Sequence, residues 1–279
     1  MKISQVSYQD PEAPQNFAKS LRDTGFAVIR SHPIPETLLQ TVYQDWAQFF
    51  NSPSKFDFRF DPKEQSGYFP FKSENAKDSS IKDLKEFFHI YPKTTLPKAL
   101  GNSTLQLRAL LTEMAAKLLG WLQEETPTEI KSKFSLPLPE MFRESNTTLF
   151  RILHYPPFTG EIEPGAVRAA AHEDINLITL LPAATAPGLE VKDIQGNWLA
   201  VPCDPGNIIV NAGDMLQLAT EGYYKSTTHR VINPQGDETK KSRYSIPLFL
   251  HPRSEVYLSP HLTAEEYLSE RLREIGLRT

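Results

Sequence analysis

The sequence predicts a mainly β fold with flanking helices: a jelly-roll (double-stranded β-helix) core between a helix-rich N-terminal region and a C-terminal helix. Three observations support this fold class. Apolar residues recur with helical periodicity in the first half, short β-rich runs begin near Thr148, and an amphipathic stretch closes the chain. These three sequence patterns predict a division of the chain into an N-terminal region (1–140), the core (141–255) and a closing helical segment (256–279).

Two amphipathic helices account for most of the first half. Apolar residues recur at three- and four-residue steps from Thr37 to Phe50, and again from Leu107 to Leu122, where "ETPTE" ends the pattern. The run "FAVIR", from Phe26 to Arg30, predicts a short strand, and the polar stretch from Lys72 to Asp83 predicts a loop.

The second half is a series of short strands divided by glycine, proline and asparagine. No helical periodicity separates them, which favours an antiparallel sandwich or barrel over a parallel α/β sheet, and a jelly roll fits best. The runs are "LFRILHY", "INLITLL", "GLEVKD", "NWLAVP", "NIIVNAGDMLQLA", "STTHRVI" and "RYSIPLFLH".

The closing stretch "TAEEYLSERLREIGL" predicts a helix docked on the β core. Thr263 and Glu266 have the spacing of a capping box, and Leu268, Leu272 and Ile275 share one face.

Composition narrows the possible functions. The 279 residues carry 30 basic and 34 acidic side chains with no basic cluster, so nucleic acid is not an expected partner. No apolar run is long enough to span a bilayer and the first residues do not read as a signal peptide, so we expect no membrane association and a cytoplasmic location. The single cysteine, Cys203, excludes an intrachain disulfide and is interpreted as a small core residue. The oligomeric state stays open.

A histidine and an acid precede the apolar run in "AAAHEDINLITLL". In a strand, residues two apart point to the same side, so His172 and Asp174 are predicted to converge while Glu173 faces away. His229 in "STTHRVI" is the best candidate for a third ligand. Two histidines and one carboxylate are the facial triad of non-haem Fe(II) oxygenases.

A second pair with this spacing follows in "RYSIPLF". Arg243 and Ser245 are predicted to project from one face of a late core strand, where together they can grip a carboxylate.

These motifs, in this order, resemble the isopenicillin N synthase-like family of Fe(II), 2-oxoglutarate-dependent oxygenases. The similarity includes "HEDINLITLL", the segment from "GLEVKD" to "THRVINP", and "RYSIPLFLHP". It extends to "DTGFAVIRSHPIP", "SGYFPF" and "DLKEFFHI" in the first half and to "LTAEEYL" at the end. Nearly the whole chain is covered.

The resemblance implies a role for six residues. His172, Asp174 and His229 would bind Fe(II), Arg243 and Ser245 would bind the C5 carboxylate of 2-oxoglutarate, and Tyr155 would contact the same cosubstrate. Many plant members have asparagine at the position of Leu153, so contacts near the metal-binding end of the cosubstrate are expected to differ. With O2, the implied reaction couples oxidative decarboxylation of 2-oxoglutarate to hydroxylation, desaturation or cyclisation of a small molecule.

Two alternatives remain at this stage. One is an iron-dependent oxidase of the isopenicillin N synthase type that does not use 2-oxoglutarate. The other is a catalytically inactive jelly-roll binding protein. A zinc hydrolase is disfavoured because no general base is marked beside the predicted metal site.

Four further residues near these motifs have more than one possible role. Arg168 is expected to be a solvated loop residue, although it could reach an acidic substrate. His154 is expected in packing or at the surface, because it alternates with Tyr155 along a strand. Tyr68 and Phe69 could belong to a substrate lid or to the core.

Overall fold

The computed structural model describes residues 2–75 and 81–274, and the predicted fold class is confirmed in this part of the chain. Both long helices form, and α3 extends six residues further toward the N-terminus than the periodicity indicated. The helices are α1 Ala13–Thr24, α2 Glu36–Asn51, α3 Gly101–Glu125, α4 Thr128–Lys131, α5 Leu138–Met141, α6 Asp214–Ala219 and α7 Ala264–Glu274.

Two facing sheets form the β core. The strands are β1 Ser4–Ser7, β2 Phe26–Arg30, β3 Gly67–Phe69, β4 Glu86–Ile90, β5 Leu149–Tyr155, β6 Ala169–His172, β7 Ile178–Pro182, β8 Leu189–Lys192, β9 Trp198–Ala200, β10 Ile208–Ala212, β11 His229–Val231, β12 Arg243–Ser245, β13 Leu248–Leu250, β14 Tyr257–Ser259 and β15 Leu262–Thr263. The larger sheet has nine strands in the order β1-β2-β10-β7-β13-β5-β4-β3, with β12 also paired to β5. The smaller sheet has the order β6-β11-β8-β9, and β14 pairs with β15.

Four strands of the larger sheet come from the first half of the chain, where the sequence predicted one. Strand β2 was predicted correctly, whereas β1, β3 and β4 were missed. Every residue of β3 and β4 is buried, so neither strand shows the apolar and polar alternation of a half-exposed strand. The larger sheet contains strands from both sides of residue 140, and the three-part division of the chain stays a prediction.

One predicted strand is half helix. In "NIIVNAGDMLQLA", β10 ends at Ala212 and α6 begins at Asp214. Gly213 lies between them, and a Cβ atom there would overlap the carbonyl oxygen of Asn176. The missing side chain therefore lets the chain turn against its neighbour at this point.

Alternating side chains of the larger sheet divide the apolar core in two. One cluster packs the outer face of this sheet against α1, α2 and α3, and includes Trp46 and Leu180. The other lies between the two sheets, where Val28 and Ile209 of the larger sheet meet Val191 and Val231 of the smaller one. The second cluster occupies the interior of the jelly roll.

The closing helix is capped as predicted. The Glu266 N–H donates to Thr263 Oγ1 (3.3 Å) and the Thr263 N–H donates to Glu266 Oε2 (2.8 Å). Leu268 packs on the core, whereas Ile275 lies outside the described residues. Residues 76–80 of the predicted loop also lie outside the described residues. The described parts of that loop contain no helix or strand. None of the described helices combines the length and apolarity needed to cross a membrane.

Candidate metal centre

The segment carrying His172 and Asp174 crosses from one sheet to the other. The prediction of a single strand here was wrong, because β6 ends at His172 and the next strand, β7, begins at Ile178. His172 therefore belongs to the smaller sheet, and Asp174 lies in the connection to the larger one. Two backbone hydrogen bonds hold this connection in place. The Asp214 N–H donates to the Asp174 carbonyl (2.8 Å), and the Gly213 N–H donates to the Leu177 carbonyl (2.9 Å).

The three predicted metal ligands come together in the structure. His229 opens β11 and is the cross-strand partner of His172. Asp174 Oδ1 lies 3.9 Å from His172 Nε2 and 3.7 Å from His229 Nε2. One potential ligand atom from each residue lies within 4.8 Å of the other two. This spacing suits a single metal ion bound by two imidazoles and one carboxylate.

Backbone carbonyl groups fix both imidazoles in the same tautomer. His172 Nδ1 lies 2.7 Å from the Ala170 carbonyl oxygen, and His229 Nδ1 lies 3.1 Å from that of Thr227. A carbonyl oxygen only accepts, so each Nδ1 carries the proton and each Nε2 keeps its lone pair. Both lone pairs are thus available to a metal ion.

The Asp174 carboxylate is held through one oxygen only. Its Oδ2 accepts hydrogen bonds from Thr179 Oγ1 (2.5 Å) and Asn211 Nδ2 (2.8 Å). Thr179 Oγ1 in turn accepts from Asn176 Nδ2 (2.9 Å). The sequence analysis missed these three supporting residues, although Thr179 and Asn211 are polar residues within apolar strands, which is a usable signal. The arrangement leaves Oδ1 facing the two histidines.

The ionisation of His172 and Asp174 also suits a divalent cation. Burial alone would raise the pKa of Asp174, but the two imidazoles and the bonds from Asn211 and Thr179 hold that pKa below its ordinary value. Burial, followed by the charge of His229, lowers the pKa of His172 to about 4. At neutral pH, His172 is therefore neutral and Asp174 is charged, as metal ligation requires. Although the surrounding protein removes enough water to lower this pKa, 40% of the His172 side-chain surface stays exposed, so the site opens on this side.

The two residues predicted to bind a carboxylate, Arg243 and Ser245, lie on β12, which pairs with β5. Arg243 is the cross-strand partner of Tyr155, and Ser245 is that of Leu153. Arg243 and Ser245 are both buried, and the Arg243 guanidinium carbon lies 5.0 Å from the Tyr155 ring centroid. Arg243 Nε donates to the Ala186 carbonyl (2.9 Å), whereas Nη1 is buried and has no partner in the described part of the chain. A buried guanidinium with a free donor fits an anionic ligand.

Arg168 is buried, contrary to the expectation of a solvated loop residue. It is 2% exposed, and its guanidinium carbon lies 5.8 Å from the ring centroids of both Tyr155 and Phe158. The sequence around Arg168 is typical of a loop, whereas the structure places the residue beside two aromatic rings that precede it by ten and thirteen residues. Sequence alone gave no signal for that contact.

Three of the remaining candidates, His154, Tyr68 and Phe69, pack in the interior, whereas Cys203, interpreted as a core residue, is only partly buried. As expected, His154 has a packing role: its Nδ1 lies 2.7 Å from Glu86 Oε1, and its ring stacks on Tyr244 at 4.6 Å. Tyr68 and Phe69 are buried, which places them in the core. Cys203 is half-buried and directs its thiol at the Ala184 carbonyl (3.1 Å).

Comparisons with known proteins identify the family. Residues 146–252 match the 2OG-Fe(II) oxygenase superfamily, and residues 2–108 match the family described as non-haem dioxygenase in morphine synthesis N-terminal. The chain is 30% identical to the 2-oxoglutarate-dependent dioxygenase citB of Monascus ruber, over 89% of this chain and 84% of the relative.

Solved structures show the same architecture. The crystal structure of a proposed oxygenase from Shewanella oneidensis is 51% identical, covers 99% of each chain and superposes with a TM-score of 0.90. A full-length Neurospora crassa protein in complex with alpha-KG and thymine shares the fold, with a TM-score of 0.78 and 22% identity over 98% of this chain and 96% of that one.

These matches define the class of protein. The chain belongs to the 2OG-Fe(II) oxygenase superfamily. Its homologues are Fe(II)- and 2-oxoglutarate-dependent dioxygenases, and the family uses Fe(II), 2-oxoglutarate and O2.

Proposed function

We propose that this oxygenase binds Fe(II) through His172, Asp174 and His229, and 2-oxoglutarate through Arg243, Ser245 and Tyr155, to oxidise a small molecule. One observation carries the metal assignment. Each of the three ligands has one atom committed to the protein and a second atom free, and the free atoms converge. Such outer contacts orient metal ligands in known sites.

The side chains of the site would have separate roles in binding the metal and the cosubstrate. Bound Fe(II), with 2-oxoglutarate and O2, supplies the oxidant that attacks a C–H bond of the substrate. Asp174 contributes the negative charge that offsets the metal charge, and its bonds to Thr179 and Asn211 hold it in one orientation. Arg243 and Ser245 would fix the far carboxylate of the cosubstrate, which sets the orientation of its oxo-acid end.

An anaerobic titration tests the metal site. Wild-type protein should bind about one equivalent of Fe(II), as expected for one facial triad. His172→Ala and Asp174→Ala should each abolish this binding. His261 is an exposed histidine on the closing hairpin, so His261→Ala is a matched control and should bind like wild type. Undiminished binding by both ligand variants would refute the assignment, and a wild-type protein that binds no Fe(II) would favour the catalytically inactive binding protein.

Cosubstrate binding separates the proposal from an oxidase that does not use 2-oxoglutarate. The free Nη1 of buried Arg243 favours an anionic ligand. We expect the Fe(II)-loaded protein to bind 2-oxoglutarate, and to convert it to succinate faster when a correct substrate is present. Fe(II) binding without any 2-oxoglutarate binding would favour the oxidase. Screening amino acids, small acids and natural-product precursors for stimulated succinate formation would identify the substrate.

The three-part division at residues 140 and 255, and a cytoplasmic location, remain proposals. The matched segments 2–108 and 146–252 lie within or close to the first two parts. Fractionation of cells that express the natural gene tests the location, and recovery in the membrane pellet would contradict it.

A further inference from the structure

Two buried guanidinium groups lie against one phenol ring. The guanidinium carbons of Arg168 and Arg243 are 5.8 and 5.0 Å from the Tyr155 ring centroid. The two arginines come from separate parts of the chain, just before β6 and at the start of β12, and both are 2% exposed.

Neither arginine has an acidic partner in the described part of the protein. Within residues 2–75 and 81–274, no carboxylate oxygen lies within salt-bridge distance of either guanidinium. Arg168 donates from Nη2 to the Lys241 carbonyl (3.3 Å), and its Nε is buried with no partner among the described residues. Glu238 is the acidic residue that acts on Arg168 electrostatically, but it is exposed and already paired with Lys241 (2.7 Å).

Two buried like charges without a counter-ion are costly. Burial, followed by the charge of Arg243, lowers the pKa of Arg168 to about 10, so the residue remains charged at neutral pH. A fold that only needed to fill this space could use an apolar side chain at lower cost. The excess positive charge is explained if an anion normally occupies this end of the jelly roll.

We propose that Arg168 is a second cationic residue of the cosubstrate pocket, which positions Tyr155 and strengthens the binding of dicarboxylic over monocarboxylic 2-oxo acids. This inference rests on the proposed function, because Arg243 marks the carboxylate site. Arg168 acts through the face of the Tyr155 ring and through its charge, whereas Arg243 makes the direct contact. The family resemblance assigned Arg243, Ser245 and Tyr155 to this pocket and gave no role to Arg168.

A purely structural role makes the opposite prediction for stability. If Arg168 only holds the Lys241 carbonyl and the Phe158 ring, its loss should destabilise the metal-free protein and leave the selectivity among 2-oxo acids unchanged. If it serves the pocket, removing an unneutralised buried charge should leave the metal-free protein equally stable or more stable.

The experiment compares Arg168→Gln, Arg168→Lys and Arg230→Gln by anaerobic calorimetry on protein loaded with Mn(II), which does not turn over. Arg230 is a matched control, since it lies on β11, pairs with Glu190 (2.8 Å) and contacts the Trp198 ring (4.0 Å). The probes are 2-oxoglutarate and 2-oxopentanoate, which has the same carbon chain but lacks the second carboxylate.

We expect Arg168→Gln to weaken 2-oxoglutarate binding about tenfold, the loss of one partly screened charge interaction. Binding of 2-oxopentanoate and of Mn(II) should not change, and the thermal midpoint of the metal-free protein should not fall. Arg168→Lys should recover most of the affinity, and Arg230→Gln should match wild type.

Unchanged 2-oxoglutarate affinity in Arg168→Gln would overturn the inference and leave the proposed function intact. So would an equal loss for both oxo acids, or a loss accompanied by a lower thermal midpoint. Wild-type protein that binds Mn(II) but not 2-oxoglutarate would overturn the proposed function, and this inference with it.

Discussion

Replacing Thr179 by valine removes one of the two hydrogen bonds that hold Asp174 Oδ2, while the volume of the side chain stays nearly constant. The Thr179 hydroxyl lies 2.5 Å from this oxygen. A hydrogen bond to a charged group contributes about 1.5 to 3 kcal/mol. The Asn176 amide also loses its acceptor at 2.9 Å, which leaves a buried donor without a partner and adds to the cost.

The same substitution also affects the metal site. With only Asn211 holding Oδ2 (2.8 Å), the carboxylate can rotate away from the two imidazoles. Loss of such an orienting contact lowers metal affinity by about 10- to 100-fold. We therefore expect Thr179→Val to bind Fe(II) about 10- to 100-fold more weakly and Thr179→Ser to keep most of the affinity, both measured by anaerobic titration.

A matched control separates metal affinity from stability. Thr104 is a fully buried threonine of the helical layer, and its hydroxyl accepts a hydrogen bond from Trp46 Nε1 (3.0 Å). Thr104→Val should lower the thermal midpoint without weakening Fe(II) binding. The reasoning is refuted if Thr179→Val binds Fe(II) as well as wild type, or if Thr104→Val loses as much affinity.

Three further perturbations probe the fold. Gly213→Ala should cost about 3 kcal/mol of the free energy of unfolding in urea, because its Cβ overlaps a backbone carbonyl oxygen; an unchanged midpoint would contradict this. Burial would raise the pKa of Glu74, but Arg151 and Lys85 hold it well below its ordinary value, so this carboxylate stabilises the fold above about pH 4.5 and progressively less as the pH falls. Glu74→Gln should therefore be less stable than wild type at pH 7 and should lose less stability on acidification, and parallel pH profiles would count against it. The fragment 141–279 should not fold alone, since it lacks four strands of the larger sheet, and a native-like circular dichroism spectrum would disprove this.

The predicted site residues were found from their chemistry rather than from their exact secondary structure. His172, Asp174 and His229 were assigned correctly as a converging group because few residue types bind metal and their order matched a known pattern. The supposed reason for the convergence was wrong, since His172 and Asp174 do not share a strand. The break falls at residues 173–177, where Asp174 and Asn176 are residue types typical of turns, so the change of sheet did have a local signal that the strand prediction overlooked.

Burial also limited what the sequence could predict elsewhere. Strand β4 is buried on both faces, so its side chains show no alternation to detect. Arg168 is buried and lies 5.8 Å from the Tyr155 and Phe158 rings, and no pattern in its immediate neighbours predicts this burial. By contrast, the capping box at Thr263 was located correctly because it depends on neighbours within a few residues, and β5 was located from its β-rich composition although it is largely buried.

Because the chain crosses from the smaller sheet to the larger one between β6 and β7, the candidate metal centre is built from residues that both sheets hold in place. His172 and His229 belong to the smaller sheet, whereas Asp174 is anchored by Thr179 and Asn211 of the larger one. An ion bound by all three would act as a cross-link that resists separation of the layers, much as a disulfide restrains two strands. Chemistry and mechanical cohesion would then depend on the same bonds, so a substitution that lets the sheets drift apart would impair catalysis without altering any ligand.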